Sequence, residues 1–293
     1  MKTIAFIGLG NMGGPMAANL VKANYTVKGF DLSEEAKDHA RKDGIEIVDN
    51  VDEAVAASDA IITMLPAGKH LLSVYEVTLK AAKTGSLFID CSTVDVDSSR
   101  TAHDAAEKAG MLSLDAPVSG GVGGATAGTL TFMAGGTREA FDKAHELLDI
   151  MGGKVVHCGG AGNGQAAKIC NNMILGISMI ASSEAFNLAE KLGLDHQALF
   201  DVASTSSGQC WSINTYCPVP GPVPTSPANN DYTPGFAAAL MLKDLKLSQD
   251  AAKSAGVPTP LGSHAEELYQ SFNDAGGSGI DFSGIINHLK SDK

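Results

Sequence analysis

Three groups of residues have the types and spacing to do chemistry. The first is Gly8-Leu9-Gly10-Asn11-Met12-Gly13, a G-x-G-x-x-G run. It follows the apolar stretch Ile4–Ile7 and opens a helical pattern, and the acidic Asp31 ends the next β-rich stretch. That context makes the run specific for a dinucleotide. Gly8 permits the tight turn, Gly10 lets a pyrophosphate approach the backbone, and Gly13 lets the helix pack closely on the strand. The helix N-terminus then offers N–H groups and a positive dipole end to the phosphates. Asp31 can accept hydrogen bonds from ribose hydroxyls and repels a 2′-phosphate. Leu32 and Ser33 follow it with no adjacent arginine, so the residues point to NAD rather than NADP. A glycine turn that holds no ligand is the competing reading.

The second group is Lys168 and Asn172, four residues apart on one helical face. A lysine in the first turns of a helix sits by the positive dipole end, which disfavours its charged form. Such a lysine can take a hydroxyl proton while hydride leaves the same carbon. On residue physics alone, a solvated helix lysine is the commoner case. The Asn172 amide can donate and accept near substrate oxygens, whereas Asn171 points about 100° away. The third group is Ser119-Gly120-Gly121, a second glycine-rich loop whose N–H groups and hydroxyl suit a carboxylate. An ordinary strand–loop turn has the same composition.

The bulk numbers narrow the classes. Across 293 residues, 44% hydrophobic and 18% charged content fits a globular protein of one large or two ordinary domains. The net charge of −12, with no lysine/arginine cluster, leaves a nucleic-acid role without a footprint. Any positive groups must therefore be placed locally. Cys91, Cys158, Cys170, Cys210 and Cys217 are odd in number and lack a C-x-x-C, so free thiols in a reducing cytosol are expected. The histidines are scattered, with no H-E-x-x-H, and no metal site is expected. The start resembles a stunted signal peptide, but its apolar run is too short and a buried first strand explains it better. No apolar run reaches the length of a membrane span. A cytoplasmic protein is expected.

The elements that must position these groups follow from periodicity. Candidate strands are Ile4–Ile7, Thr26–Phe30, Ala60–Met64, Leu87–Asp90, Leu112–Ala116, Leu130–Ala134 and Lys154–His157. Helical patterns such as Met12–Ala23 and Ser33–Lys42 lie between the early ones. Alternation predicts an α/β, doubly wound, mainly parallel sheet of the Rossmann type. Thr93 and Leu65-Pro66 then follow strand carboxyl ends, where such sheets bind ligands. The glycine-rich stretch Gly159–Gly164 reads as a hinge, followed by a long helix from about Gln165 to Lys191. Domains of 1–162 and 163–293 are expected, the second all-α and joined through that helix. Residues 217–235 hold six of the eleven prolines and cannot form a regular helix, leaving an ordered or a mobile loop. Helical patterns resume over Phe236–Ala255 and Gly262–Asn273.

At this point the chain resembles the 3-hydroxyisobutyrate dehydrogenase family of β-hydroxyacid dehydrogenases, over essentially its whole length. The blocks are GLGNMGGPMAANL from Gly8, MLP from Met64, DCSTVDV from Asp90, DAPVSGGVGGATAGTL from Asp115, GNGQAAKICNN from Gly162, SSGQCWS from Ser206 and LMLKDL from Leu240. Their joint order is specific, and SSGQCW with YCPVPG looks like the hydroxyisobutyrate branch. The resemblance implies Lys168 as general acid/base, with Ser119, Gly120, Gly121 and Asn172 on the substrate. It implies that Gly8, Leu9, Gly10, Asn11, Met12, Gly13 and Asp31 hold NAD, with Leu65, Pro66 and Thr93 at the nicotinamide half. Lys243 is placed at the nicotinamide end, Asp244 either orienting it or forming a helix-surface pair. Phe236 is expected by the cofactor cleft. His70 lies near the cofactor or is simply solvated, and Trp211 lines the substrate pocket or sits in the core. The implied reaction is reversible oxidation of a small 3-hydroxy acid, in valine degradation, by a homodimer or homotetramer. Sister enzymes reducing tartronate or succinic semialdehyde, and a non-catalytic NAD-binding sensor, are the alternatives.

Overall fold

The computed structural model describes residues 2–290; Met1 and residues 291–293, the outer ends of the two expected domains, lie outside the described residues. The chain divides into two compact units, one ending at Lys168 and the next beginning at Ile169.

The first unit is built on strands β1 (Thr3–Ile7), β2 (Thr26–Phe30), β3 (Glu46–Ile47), β4 (Ala60–Thr63), β5 (Leu87–Asp90), β6 (Leu112–Asp115), β7 (Val118–Ser119), β8 (Leu130–Gly136) and β9 (Gly152–Gly159). Their order is β3-β2-β1-β4-β5-β6-β8-β7, with β9 on β8. Pairing is parallel from β3 through β6, antiparallel where β8 meets β6 and β7, and parallel again between β8 and β9. Helices α1 (Gly13–Lys22), α2 (Glu34–Lys42), α3 (Val51–Val55), α4 (Gly68–Ala81), α5 (Val96–Lys108), α6 (Gly121–Ala127) and α7 (Arg138–Met151) connect them.

Alternation along each strand divides the core. Ile4 and Phe6 of β1 face one side with Met16 and Leu20 of α1 and Ala144 and Leu148 of α7. Ala5 and Ile7 face the other side with Leu71 and Tyr75 of α4 and Ala102 and Ala106 of α5. All four β1 residues are buried, as a strand covered on both faces requires. This is the doubly wound sheet expected, with two short strands added. β3 and β7 are too brief for periodicity to register.

Helix α8 (Asn163–Lys191) begins two residues before the expected start. Two of the glycines ahead of it are held in place. The Gly162 N–H is bonded at 2.8 Å to Asp115, and a Cβ on Gly164 would stand 2.2 Å from the Met133 carbonyl oxygen. Gly164 is glycine because the helix start packs there directly on backbone, whereas a Cβ on Gly160 would meet nothing within 4 Å.

The second unit continues α8 with α9 (His196–Ala203), α10 (Trp211–Asn214), α11 (Ala238–Ala255), α12 (Pro260–Asp274) and α13 (Ile285–Lys290). Its core gathers Met179, Met241, Leu245, Tyr269, Phe272 and Phe282. Gly176 lets α8 approach Leu245 and Met241 of α11 closely. The proline-rich segment is an ordered loop. Ser226 Oγ donates to the Cys217 carbonyl at 2.6 Å, Tyr232 donates to the Pro218 carbonyl at 2.9 Å, and Asn229 accepts from the Gly221 N–H at 2.8 Å. Among the described residues, no helix is long and apolar enough to cross a membrane.

The β1–α1 junction predicts its own weak point. A Cβ on Gly13 would stand 1.9 Å from the Gly8 carbonyl oxygen, a backbone atom that cannot swing aside. Gly13→Ala should therefore destabilise the protein by about 2–4 kcal/mol in urea unfolding, in the range for overpacking. An unchanged midpoint would contradict this packing.

Candidate active site

In the first unit the expected residues collect at one edge of the sheet. The register pairs Ile7 with Thr63, Thr63 with Asp90, and Asp90 with Asp115, so β1, β4, β5 and β6 end level. Gly8, Leu65, Thr93 and Ser119 all follow those carboxyl ends, in the crevice where open parallel sheets take ligands.

The fingerprint turn is built sterically. Gly8 has φ +96°, and a Cβ there would stand 2.2 Å from the Met64 carbonyl oxygen. Gly10 differs: a Cβ on it meets nothing within 4 Å. Its lack of a side chain leaves open the space a pyrophosphate would take. Met12 precedes α1 and supplies no side-chain cap, so the positive end of that helix is left to another partner. Asp31 accepts the Leu9 N–H at 2.6 Å and the Ser33 N–H at 2.8 Å, which holds its carboxylate beside the turn. These features fit a dinucleotide. NAD would be held by the Gly8–Gly13 turn and Asp31, and it supplies a hydride acceptor.

Leu65 and Pro66 follow β4, and the Leu65 N–H donates to Ser92 Oγ at 2.8 Å. Ser92 Oγ in turn donates to Asp90 Oδ1 at 2.5 Å, and Thr63 Oγ1 donates to the same oxygen at 2.7 Å. Asp90 Oδ2 has no hydrogen-bond partner. Burial pushes the Asp90 carboxyl up to about 6, against the lowering pull of Ser92 and Thr63. Thr93 lies in the following loop, half-buried. His70 is exposed in the first turn of α4, as a solvated histidine would be.

Ser119 ends strand β7, paired with Thr131, rather than standing in a free loop. Gly120 and Gly121 follow with φ of +138° and +62°, conformations that need glycine. The chain turns sharply there and leaves backbone exposed at Gly120. Lys168 lies in the second turn of α8 and is only 7% exposed, so it is not the solvated lysine that helix position alone would favour.

In the second unit, Asn172 is buried on α8. Its Nδ2 donates to Asp244 Oδ2 at 2.5 Å, and its Oδ1 accepts from Asn171 Nδ2 at 3.0 Å. Asp244 therefore fixes the Asn172 amide, a role its neighbour Lys243 in LMLKDL does not reveal. Lys243 is half-buried on α11. Trp211 is 48% exposed and stacks on Tyr216 at 4.7 Å, so the buried-core alternative fails. Phe236 packs edge-on against Phe282, with its N–H on Asp281. Sequence reasoning missed two buried residues: Asp115, which accepts from the start of α8, and Gln165, in that first turn, whose side chain reaches the loop after β5. Among the described residues, no cluster of three or more His, Cys, Asp or Glu side chains could hold a metal ion.

Comparison with known proteins decides the family. Residues 3–160 match the family described as the NAD binding domain of 6-phosphogluconate dehydrogenase. Residues 162–289 match the family described as the NAD-binding domain of NADP-dependent 3-hydroxyisobutyrate dehydrogenase. A probable 3-hydroxyisobutyrate dehydrogenase of Mycobacterium tuberculosis is 53% identical over 99% of this chain and 98% of that protein. The human mitochondrial 3-hydroxyisobutyrate dehydrogenase is 46% identical over 99% of this chain and 87% of that protein. The chain belongs to the 3-hydroxyisobutyrate dehydrogenase family. It is an NAD-dependent oxidoreductase acting on a CH–OH group. A solved structure of the Mycobacterium tuberculosis 3-hydroxyisobutyrate dehydrogenase with L-serine superposes with a TM-score of 0.96, at 53% identity over 99% of this chain and 100% of that one. A 3-hydroxyisobutyrate dehydrogenase from Salmonella typhimurium gives 0.83 at 27% identity, over 98% and 100%.

This edge of the sheet can be probed at Gly10 and at Asp90. Gly10→Ala should fold normally, since its Cβ meets no protein atom, yet weaken NADH binding at least about tenfold by fluorescence titration, a loss of roughly 1.4 kcal/mol. Wild-type affinity would show that the open space at Gly10 is not used. Asp90 sets a pH dependence. Its carboxyl rises from the ordinary 3.8 to about 6 on folding, so the unfolded chain ionises first. Stability from this group is present below pH 4 and lost as pH rises through 6. Asp90→Asn removes that loss. Relative to wild type, the variant should gain about 2–3 kcal/mol between pH 4 and pH 7. A pH-independent difference in urea unfolding would contradict it.

Proposed function

We propose that the protein catalyses reversible, NAD-dependent oxidation of (S)-3-hydroxyisobutyrate to methylmalonate semialdehyde, with release of NADH and a proton, as a step of valine degradation. The observation that carries this reading is Lys168, buried to 7% exposure and four residues from the buried Asn172 on α8. Lysine is almost never buried in a soluble fold unless it is paired or serves a site, and here it lies on the same helix face as a buried asparagine whose amide is fixed by Asp244.

In this mechanism NAD, when bound, accepts the hydride. Lys168 takes the hydroxyl proton of the substrate in the forward direction and returns it in reverse. Asn172, its amide fixed by Asp244, orients the substrate, and Ser119, Gly120 and Gly121 receive the carboxylate through N–H and hydroxyl donors. Asp31, together with Leu9, Gly10, Asn11, Met12 and Gly13, takes the adenosine end and selects against NADP. Leu65, Pro66, Thr93, Phe236 and Lys243 are assigned to the cofactor and Trp211 to the substrate, and the exposed His70 stays the weakest assignment.

Assembly as a homodimer or homotetramer is part of the proposal. Ile174, Leu188, Leu192 and Val202 are exposed by 61–76% on the second unit, and Leu188 and Leu192 stand one turn apart, apolar groups that a subunit interface would cover. A cytoplasmic location rests on five free cysteines, which suit a reducing compartment.

A second reading has one observation behind it. The Mycobacterium tuberculosis relative was solved with L-serine, itself a 3-hydroxy acid. Initial rates with both enantiomers of 3-hydroxyisobutyrate, serine, 3-hydroxypropionate, tartronate semialdehyde and succinic semialdehyde, each with NAD and NADP forms, separate the candidates. Preference for (S)-3-hydroxyisobutyrate with NAD⁺ is expected. Preference for serine or a semialdehyde moves the enzyme to a sister specificity. Lys168→Arg keeps the cation but cannot release its proton. It should lower kcat by about 10³-fold, within the range for general acid–base groups, while NADH still binds. An unaltered kcat would overturn the mechanism, and absence of turnover in wild type would leave an NAD-binding sensor.

A further inference from the structure

The side chain of Gln165 makes two hydrogen bonds that bracket a single residue. Its Oε1 accepts the Val94 N–H at 3.1 Å, and its Nε2 donates to the Ser92 carbonyl at 2.7 Å. Thr93 is the residue between them. Gln165, Ser92 and Val94 are each at most 1% exposed, so no water competes for these bonds. Gln165 stands three residues before Lys168, one turn earlier on α8.

That turn is itself fixed. The Gln165 N–H donates to Asp115 Oδ2 at 2.9 Å and the Gly162 N–H to Asp115 Oδ1 at 2.8 Å. His103 Nε2 lies 2.9 Å from Asp115 Oδ1. Gly135 and Gly164 are glycines where a Cβ would fall 2.6 and 2.7 Å from the Asp115 carboxylate. The carboxyl end of β6 thus holds the first turn of α8, and that turn holds the loop after β5.

We propose that Gln165 is a positioning residue: its amide sets the Ser92–Val94 loop, and with it Thr93, in register with the helix turn that carries Lys168. This rests on the proposed reading, in which Thr93 serves the cofactor and Lys168 the proton. Only an amide meets the requirement. Glutamate would set an oxygen against the Ser92 carbonyl, and methionine would leave a buried N–H and a buried carbonyl unpaired. The reaction gives the register its value. Hydride and proton leave the same carbinol group, and misplacement by about 1 Å costs on the order of 100-fold in rate.

The test compares full-length Gln165→Ala with Thr93→Ala and Lys168→Ala as controls, measuring kcat, both KM values and the NADH Kd. For Gln165→Ala, NADH Kd and the NAD⁺ KM should rise at least about fivefold and kcat fall about tenfold, with the hydroxy-acid KM within about twofold of wild type. Simple loss of folded protein would lower kcat and leave Kd and both KM values alone, and that pattern would overturn the proposal. Should Gln165→Ala not fold, Gln165→Met keeps the side-chain length, leaves no cavity and adds no buried charge. It should raise the NADH Kd by a smaller factor, about threefold. Wild-type NADH affinity in the foldable variant, beside a weakened Thr93→Ala, would sink the inference alone. Normal behaviour of both controls would overturn the reading beneath it.

Discussion

The Asp115 carboxylate is 1% exposed, and a buried charge without partners costs several kcal/mol. Its donors are the N–H groups of Gly162 and Gln165 and the His103 ring. The first turn of a helix is a natural partner for such a group. It has N–H groups that no carbonyl of its own helix can satisfy, and its dipole favours negative charge there. Each end of the arrangement therefore removes the other's cost. The direction in which α8 leaves the sheet, and so the place of Lys168, depends on that exchange. Gly164 and Gly135 are consequences of it, because a Cβ at either would collide with the Asp115 carboxylate.

The same economy runs along the sheet edge. Asp90 is buried as deeply as Asp115 but receives its donors on one oxygen only, from Thr63 and Ser92. Its other oxygen is unpartnered, and its carboxyl is pushed up accordingly. Two aspartates at the ends of neighbouring strands thus differ in how their charge is met. Asp90 links the ends of β4 and β5, while Asp115 ties β6 to the next helix. Both hold the strand ends level, which is what lets Gly8, Leu65 and Thr93 line one crevice.

Much of this fold was legible because burial writes itself into the sequence at short range. Ile4–Ile7 and Leu87–Asp90 are apolar runs of strand length, and the fingerprint turn announces the β1–α1 junction. The antiparallel entry of β8 was not legible, since a strand's composition carries no sign of its partner's direction. β3 and β7, at two residues each, fall below any period. Within the candidate site, Lys168 and the glycines could be named from spacing and resemblance. Gln165 and Asp115 could not, because the bonds that tie them to the start of α8 and to the loop after β5 span 47–73 residues in sequence. Asp244 was named only beside Lys243, and its bond to Asn172, spanning 72 residues, escaped for the same reason. The close packing at Gly164 was not legible in the glycine run at 159–164, because glycine composition does not distinguish freedom from close approach. Trp211 was hard to place because its size favours burial while its stacking on Tyr216 leaves half of it exposed.

Asp31 shows how closely structural and ligand roles can coincide in such a site. Each of its oxygens already accepts one backbone N–H, from Leu9 and from Ser33. A carboxylate has about four lone-pair sites, so one on each oxygen remains for the ribose hydroxyls of the proposed reading. The carboxylate that would select NAD in that reading is thus also the acceptor that pins the glycine turn to the end of β2. Removing its charge to admit a 2′-phosphate would also unpair the Leu9 N–H, beside the turn that must cradle the pyrophosphate. In the proposed reading, cofactor preference is therefore coupled to the shape of the Gly8–Gly13 turn, because Asp31 serves both.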